Sequence, residues 1–333
     1  MRIKVVKAEE SVGLKLAYDV SIATRDRKGA LFRRGHIIRS EDVEKLKNTG
    51  HYYVYVEDDE LEGDVHETEA VVKLAEKICG DNVYYREAEE GKAVVKSLVN
   101  GVLVLNENLL YKVNNSGVFV VVSRSNGAYV RRGDTVAVVD LIPLYISRRV
   151  LDDLLEEVSS PIFMVKPIVR RKVGLVVTGT EIYEGRIKDE ATGVVESKVE
   201  MYGGELVYRS IVPDNVDVIE KEIMKALEVS DIVITTGGMS VDPTDLTPKA
   251  IASVADEVVA YGVPFKPNTM TMIAYRRGKP IIGVSGCIVY FREFNILDAL
   301  LPKLMANLRI TREEIARMGN GGLSDYFIMR KKM

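Results

Sequence analysis

The stretch Asp231–Lys249 (DIVITTGGMSVDPTDLTPK) constrains the fold of this 333-residue chain more than any other. Three of the four residues Ile232-Val233-Ile234-Thr235 are β-branched aliphatics, which suits a strand buried on both sides, as in a parallel sheet. Thr236-Gly237-Gly238 follows. Two adjacent glycines at the carboxyl end of such a strand allow positive φ, so that backbone N–H groups can converge on an anion. Ser240 and Thr244 then bring hydroxyls, Asp242 and Asp245 bring carboxylates, and Thr247-Pro248 opens a helix. A plain strand-to-helix turn with solvated acids would use the glycines equally well. Two aspartates within a turn of the pair favour a binding loop.

Three further strands in the same half end alike. Val173–Val177 runs into Thr178-Gly179-Thr180-Glu181, Glu205–Val212 into Pro213-Asp214-Asn215, and Pro280–Val284 into Ser285-Gly286-Cys287. Open α/β sheets bind ligands in the crevice outside the carboxyl ends of their strands. The pattern predicts an α/β domain with a mainly parallel sheet, helices on both faces, and four loops around one cleft.

Several residues there have two readings. Asp189 stands where an N-cap would, ahead of the apolar stripe Ala191, Val195, Val199 and Tyr202; alternatively, that helix start faces an anion. Asp214 precedes the stripe Val216, Ile219, Ile223 and Leu227, with Asp217 three residues on as in a capping box. As a site residue it would lie across the crevice from Asp245. Two carboxylates over a phosphate repel it unless a divalent cation such as Mg²⁺ lies between them. Glu181 could accept several N–H donors. Cys287 is either a small buried residue under its turn or a thiol at a helix start facing a ligand.

Residues 173–310 resemble the molybdopterin-binding fold shared by molybdopterin adenylyltransferases and molybdopterin molybdenumtransferases. The matching pieces are VVTGTEI (176–182), GRIKD (185–189), IVPDN (211–215) and TTGGMSVDPTDLTP (235–248). There are two departures. Thr180 stands where an acid often follows the first Thr-Gly, and Ser285-Gly286-Cys287 replaces the closing Pro-Gly-Asn of the molybdenumtransferases. The whole chain, including GNGGL (319–323), is similar to a prokaryotic molybdopterin-binding branch set apart from both enzymes.

The resemblance implies molybdopterin or its adenylate as ligand, Mg²⁺, and molybdate or tungstate. Thr236, Gly237, Gly238 and Ser240 would then cradle the phosphate, and Thr178, Gly179 and Glu181 would contact the pterin. Asp189, Asp242, Ser285, Gly286 and Cys287 would also belong to the cofactor site, with the Cys287 thiol close to the dithiolene or metal end. Asp214 and Asp245 would be the catalytic and metal-holding pair. The implied chemistry is phosphoanhydride cleavage coupled to metal insertion, which rests on positioning and charge neutralisation. That fits a half without histidine, since His36, His51 and His66 all lie elsewhere. A cofactor carrier or sensor without turnover is the second reading. A nucleotide pyrophosphatase like the competence/damage-inducible protein, here without its deamidase segment, is the third.

A net charge of −3 argues against a nucleic-acid footprint. No apolar run approaches the roughly 20 residues of a membrane span, and MRIKVVKAEE has no signal-peptide core. Cys79 and Cys287 lack metal-type spacing, which fits a reducing cytoplasm.

The expected domains are a small α/β module (1–62), a β-rich domain (63–160) and the α/β domain (161–333). In the first, Ile3–Ala8 and Tyr52–Val56 read as strands, with Ser40 capping a helix closed by Gly50. Arg33, Arg34, His36 and Arg39 form a basic cluster, read as a solvated turn or as an arm over an anion. Residues 57–64 form an acidic linker, and 66–79 a helix. Asn100-Gly101 and Asn126-Gly127 predict hairpins. Leu151–Val158 reads as a connecting helix, and Ser159-Ser160-Pro161 as a boundary. The resemblance and the unassigned first half together suggest a homodimer.

Overall fold

The computed structural model describes residues 4–23, 28–57, 64–88 and 91–330, so most of the acidic linker lies outside the described residues. The chain divides into two compact units, Met1–Lys166 and Pro167–Met333.

The first unit holds two apolar clusters. In one, strand Lys4–Lys7 pairs antiparallel with Tyr53–Val56. Alternation turns Val6, Val54 and Val56 inward onto Leu16, Ile38 and Leu46. Helix Ser40–Asn48 begins one residue after its cap, Arg39, whose N–H donates to Asp42 (3.1 Å). The cap expected at Ser40 is displaced because Asp42 reaches back to that N–H. The basic cluster is paired within its own unit: His36 with Asp42, Arg34 with Glu57, and Arg39 with Glu41.

In the other cluster, helix Glu67–Ile78 buries Val71, Leu74 and Ile78 with residues of a four-stranded antiparallel sheet. Neither Asn-Gly step makes its expected hairpin. Strand Lys92–Ser97 pairs with Val83–Ala88 and Thr135–Leu141, whereas Gly101–Leu105 lies between Tyr129–Val130 and Phe163–Pro167. The chain changes sheets at Asn100, whose Oδ1 accepts from Arg132 N–H (2.9 Å). Gly101 is needed for room, since a Cβ there would stand 2.3 Å from the Lys166 carbonyl oxygen. Asn126 likewise caps a turn between sheets, accepting from Leu105 N–H (3.1 Å). Helix Arg148–Glu157 leads past Ser159–Pro161 into Phe163–Pro167, which still belongs to the first unit's three-stranded sheet. The units therefore part at Lys166, beyond the expected boundary.

The second unit is built on a six-stranded sheet. Its strands are β1 (Lys172–Thr178), β2 (Glu205–Val212), β3 (Ile232–Thr236), β4 (Glu257–Tyr261), β5 (Thr271–Arg276) and β6 (Lys279–Val284), in the order β2-β1-β3-β6-β5-β4. β2, β1, β3 and β6 run parallel; β5 and β4 are antiparallel additions. The helices are α1 (Thr180–Tyr183), α2 (Ala191–Met201), α3 (Val216–Val229), α4 (Thr247–Val254), α5 (Ile296–Met305), α6 (Arg312–Arg317) and α7 (Asp325–Arg330).

On one face α3 and α4 pack Ile219, Ile223, Ala250 and Ile251 against Val176, Val233 and Ile281. On the other, α2 and α5 meet, burying Val195, Val199, Leu297 and Leu301. Each buried Val, Leu or Ile side chain among these contributes about 1.5–3 kcal/mol relative to exposure. Lys198 of α2, 3% exposed, donates to Asp298 Oδ1 of α5 (2.7 Å) and to the Glu293 carbonyl (2.7 Å). Because β2, β1, β3 and β6 share one direction, their carboxyl ends and the loops that follow them lie along one edge. That is the mainly parallel α/β sheet expected. No helix among the described residues is long and apolar enough to cross a membrane.

Candidate functional site

The loop after β3 is pressed onto the end of β1. Gly237 and Gly238 have φ of 97° and 54°. A Cβ at Gly237 would lie 2.2 Å from the Thr178 carbonyl oxygen, and one at Gly238 2.8 Å from Thr247 Oγ1. Both positions exclude any side chain. Thr178 is a strut beneath this loop rather than a part of its surface. Its hydroxyl, 1% exposed with its residue, donates to the Thr236 carbonyl (3.2 Å) and lies 2.9 Å from Thr247 Oγ1. Thr236 Oγ1 is buried with no partner among the described residues.

The loop's N–H groups do not all await an anion, as the sequence led us to expect. Gly237 N–H donates to the Val284 carbonyl (3.2 Å). Those of Ser240 and Asp242 donate to Asp245 Oδ2 (2.9 and 3.2 Å). Asp245 is thus the loop's own internal anion, and its N–H returns a bond to the Asp242 carbonyl (2.9 Å). Gly238 and Met239 keep N–H groups with no acceptor among the described residues, beside the exposed Ser240. Tyr261 of β4 buttresses the loop through its hydroxyl, donating to the Met239 carbonyl (2.9 Å). Burial, then the charge of Asp245, raises the Tyr261 pKa. Nothing local in the sequence marked Tyr261, because β4 reaches the loop from the far edge of the sheet.

Asp214, at the end of β2, is not the cap of α3. Asn215 takes that place, its Oδ1 accepting from Val218 N–H (3.2 Å). The expected Asp214–Asp217 capping box fails because the chain stays extended through Asn215. Asp214 Oδ2 instead accepts from the N–H (2.9 Å) and hydroxyl (3.1 Å) of Thr180. Its Oδ1 lies on the Gly238 side, 3.6 Å from where a Cβ there would be. Glu181 is exposed, with its carboxylate over Gly179. Asp189 turns toward α2: it accepts from Thr192 N–H (3.0 Å) and the Thr192 hydroxyl, with Arg209 at 3.5 Å. Its capping reading is the one the geometry supports.

Beyond β6, Ser285 Oγ and Cys287 Sγ are 3.1 Å apart, and both receive Asn268 Nδ2 (3.2 and 3.1 Å). A Cβ on Gly286 would sit 4.0 Å from Gly237 Cα, so this turn abuts the glycine loop. Asn268 is 4% exposed, has φ of 78°, and leaves Oδ1 without a partner among the described residues. An orphaned buried acceptor costs about 1–3 kcal/mol. Asn268 was missed in the sequence, although Pro267-Asn268 is a turn signal and asparagine tolerates positive φ. The GNGGL segment secures the approach to it: Lys266 N–H donates to the Gly322 carbonyl (2.7 Å), and Ser324 Oγ to the Lys266 carbonyl (2.8 Å).

No three His, Cys, Asp or Glu side chains gather to hold a metal among the described residues. Asp214 and Asp245 each keep a carboxylate oxygen that makes no hydrogen bond among those residues. Two such hard donors suit Mg²⁺ only with phosphate oxygens or water completing the shell.

Residues 174–305 match the family described as a probable molybdopterin binding domain, and residues 5–58 match a domain of unknown function. A molybdopterin molybdenumtransferase of Staphylococcus aureus strain Mu50 is 31% identical over 141 residues, 39% of this chain and 34% of the relative. One from Staphylococcus epidermidis strain RP62A is 28% identical over 121 residues, 34% of this chain and 29% of its own. The chain thus spans about a third of the length of the curated relatives it matches. Among solved structures, the molybdopterin biosynthesis enzyme MoaB of Thermus thermophilus aligns at 21% identity and TM-score 0.36, covering 41% of this chain and 97% of its own. The tungsten cofactor synthesizing protein MoaB of Pyrococcus furiosus aligns at 19% and 0.34, covering 43% and 98%. The second unit, with its parallel sheet and glycine loop, thus contains the residues that match a probable molybdopterin binding domain.

Proposed function

We propose that the edge formed by the carboxyl ends of β2, β1, β3 and β6 binds molybdopterin or its adenylate, and that it cleaves the adenylate's phosphoanhydride while molybdate or tungstate is inserted. The observation that carries this reading is the meeting of the Gly237-Gly238 loop with the loops of Asp214 and Cys287 in a domain matched to a molybdopterin-binding family. Gly238 and Met239 N–H groups and Ser240 Oγ would hold the phosphate. Gly179 and Glu181 would meet the pterin, with Thr178 supporting from below. Asp242 would flank the phosphate. Asp214 and Asp245 would hold Mg²⁺, which neutralises charge developing on the phosphate oxygens; Asp189 has no direct part.

The deciding experiment is AMP release from molybdopterin adenylate with molybdate and Mg²⁺. A carrier without turnover is the second reading, favoured by Asp245 being engaged with the loop's own N–H groups. Absence of AMP with every metal tried, under conditions where the ligand binds, would leave the carrier. We also propose a cytoplasmic homodimer, closed two-fold symmetry being the commonest assembly. Light scattering at the monomer mass of 37.1 kDa would remove the dimer.

A further inference from the structure

We propose that Met239 is a positioning residue: its side chain is a peg, seated in a slot that Gly283 keeps open, and it sets where the glycine loop's free N–H groups point. The use of those N–H groups for a phosphate rests on the pterin reading above. Two apolar side chains flank Ser240 and are placed oppositely. Val241 is 87% exposed, whereas Met239 is 2% exposed.

Met239 leaves the loop and joins the apolar cluster on the α3 and α4 face, with Ile251, Met272, Ala274 and Ile281. The room is made at Gly283 of β6. A Cβ there would stand 2.7 Å from Met239 Cε, 2.8 Å from its Sδ and 2.7 Å from Ile251 Cδ1. Gly283 makes no turn: it lies within its strand, paired with Thr235 on one side and Met272 on the other. Glycine weakens a strand at such a position, and the methionine is what its bareness admits. An unbranched thioether suits an irregular gap of this kind.

The main chain on either side of the peg is tethered. Thr247 N–H donates to the Gly238 carbonyl (3.3 Å), and the Tyr261 hydroxyl to the Met239 carbonyl (2.9 Å). In a trans peptide the C=O and N–H point opposite ways. The first tether therefore turns Met239 N–H away from α4, and the second fixes Ser240 N–H, which reaches Asp245 (2.9 Å). Packing alone would use the side chain and leave the two carbonyls free. Here α4, β4 and β6 hold Met239 from three sides, and its N–H is the group left to point outward.

The test first reads the loop without ligand, by hydrogen exchange in the full chain. The Ser240 and Asp242 N–H groups, bonded to Asp245, should exchange about tenfold faster in Met239→Ala, because the loop opens locally once the peg is gone. Met239→Leu, which keeps most of the volume, should stay within about twofold of wild type. Unchanged exchange in Met239→Ala, or equal acceleration throughout β1 and α3, would make Met239 an ordinary core residue and overturn the proposal. Should Met239→Ala fail to fold, Gly283→Ala, which crowds the slot and keeps the methionine, is judged by the same two outcomes. Calorimetry then adds the ligand: molybdopterin should bind Met239→Ala about tenfold more weakly than wild type or Met239→Leu, since the loop is no longer preorganised. Equal affinity in a loosened loop would also overturn the positioning role. If wild type binds no molybdopterin while Met239→Ala loosens the loop alone, the peg stands and the pterin reading falls.

Discussion

Asp214 and Thr180 hold each other across two loops: Oδ2 of Asp214 takes both the N–H and the hydroxyl of Thr180, whose Oγ1 accepts Asp214 N–H (3.1 Å). The pair ties the end of β2 to that of β1 and leaves Oδ1 on the Gly238 side. Stability and activity should therefore separate between neighbours. Asn215→Ala should cost about 1 kcal/mol through loss of the α3 cap. Asp214→Asn keeps an oxygen for Thr180, so its melting should stay close to wild type while AMP release falls by orders of magnitude. Thermal melts beside the AMP assay check this. A melt lowered in Asp214→Asn as much as in Asn215→Ala would return Asp214 to a structural role.

Lys198 and Asp298 are a buried pair between α2 and α5, completed by Tyr202 OH on Asp298 Oδ1 (2.7 Å). Breaking such a pair leaves an uncompensated charge, which costs about 3–5 kcal/mol. Lys198→Met should lose that much in urea denaturation, although methionine fills similar space. A loss under 1 kcal/mol would mean that water reaches the site and screens the carboxylate, the regime of exposed pairs.

In the first unit, burial pushes the Asp42 pKa up, but bonds from His36, Arg39 N–H and Lys45 outweigh it and the net shift is downward. For a carboxyl with a depressed folded-state pKa, the stabilisation is present above the unfolded value. It disappears as pH falls through the folded one. The melting difference between wild type and Asp42→Asn should thus be constant near neutrality and shrink below the ordinary carboxylate range. A difference that grows in acid would contradict this sign.

Much of the second unit was legible because Ile232-Val233-Ile234 suits a strand buried on both faces and Gly237-Gly238 directly after that strand mark a turn. The first unit was harder. Asn100-Gly101 is the same dipeptide in a hairpin and in a corner between sheets, and only the nearness of Lys166 to Gly101 decides. The site was half legible for a similar reason. Asp214 and Asn215 are both good caps, and one residue of extended backbone chooses between them. Asn268 and Tyr261 come from distant segments, so their meeting with Cys287 and the glycine loop is tertiary and leaves no local pattern.

Gly238 is confined by the protein itself, with φ of 54° and Thr247 Oγ1 2.8 Å from a prospective Cβ. Gly238→Val should lose pterin binding, and also about 1–3 kcal/mol of stability from backbone strain. Ser240→Ala is the cleaner variant, because the hydroxyl is exposed and the Ser240 backbone bond to Asp245 survives. We expect Ser240→Ala to melt like wild type and to bind molybdopterin at least fivefold more weakly, the loss of about 1 kcal/mol from one hydrogen bond. Unchanged affinity in Ser240→Ala would move the phosphate off this loop.

Asp245 does two jobs in this reading, and its variants should show them apart. Its Oδ2 gathers the N–H groups of Ser240 and Asp242, while its charge would hold Mg²⁺. Asp245→Asn keeps an oxygen for the N–H groups and removes the charge, so the loop should persist and the ligand should still bind. Cleavage should fall by orders of magnitude, since the metal stabilises charge that develops in the transition state. Asp245→Ala removes both, and ligand affinity should drop with the loop's order. Tyr261 reports on the loop independently of any ligand. Its pKa is raised first by burial and then by the Asp245 charge, so Asp245→Asn should lower it only in part. Phenolate difference titration, with Tyr261→Phe in each background to isolate the signal, reads that shift. Equal AMP from wild type and Asp245→Asn, with the Tyr261 shift observed, would keep the loop geometry and remove Asp245 from the chemistry.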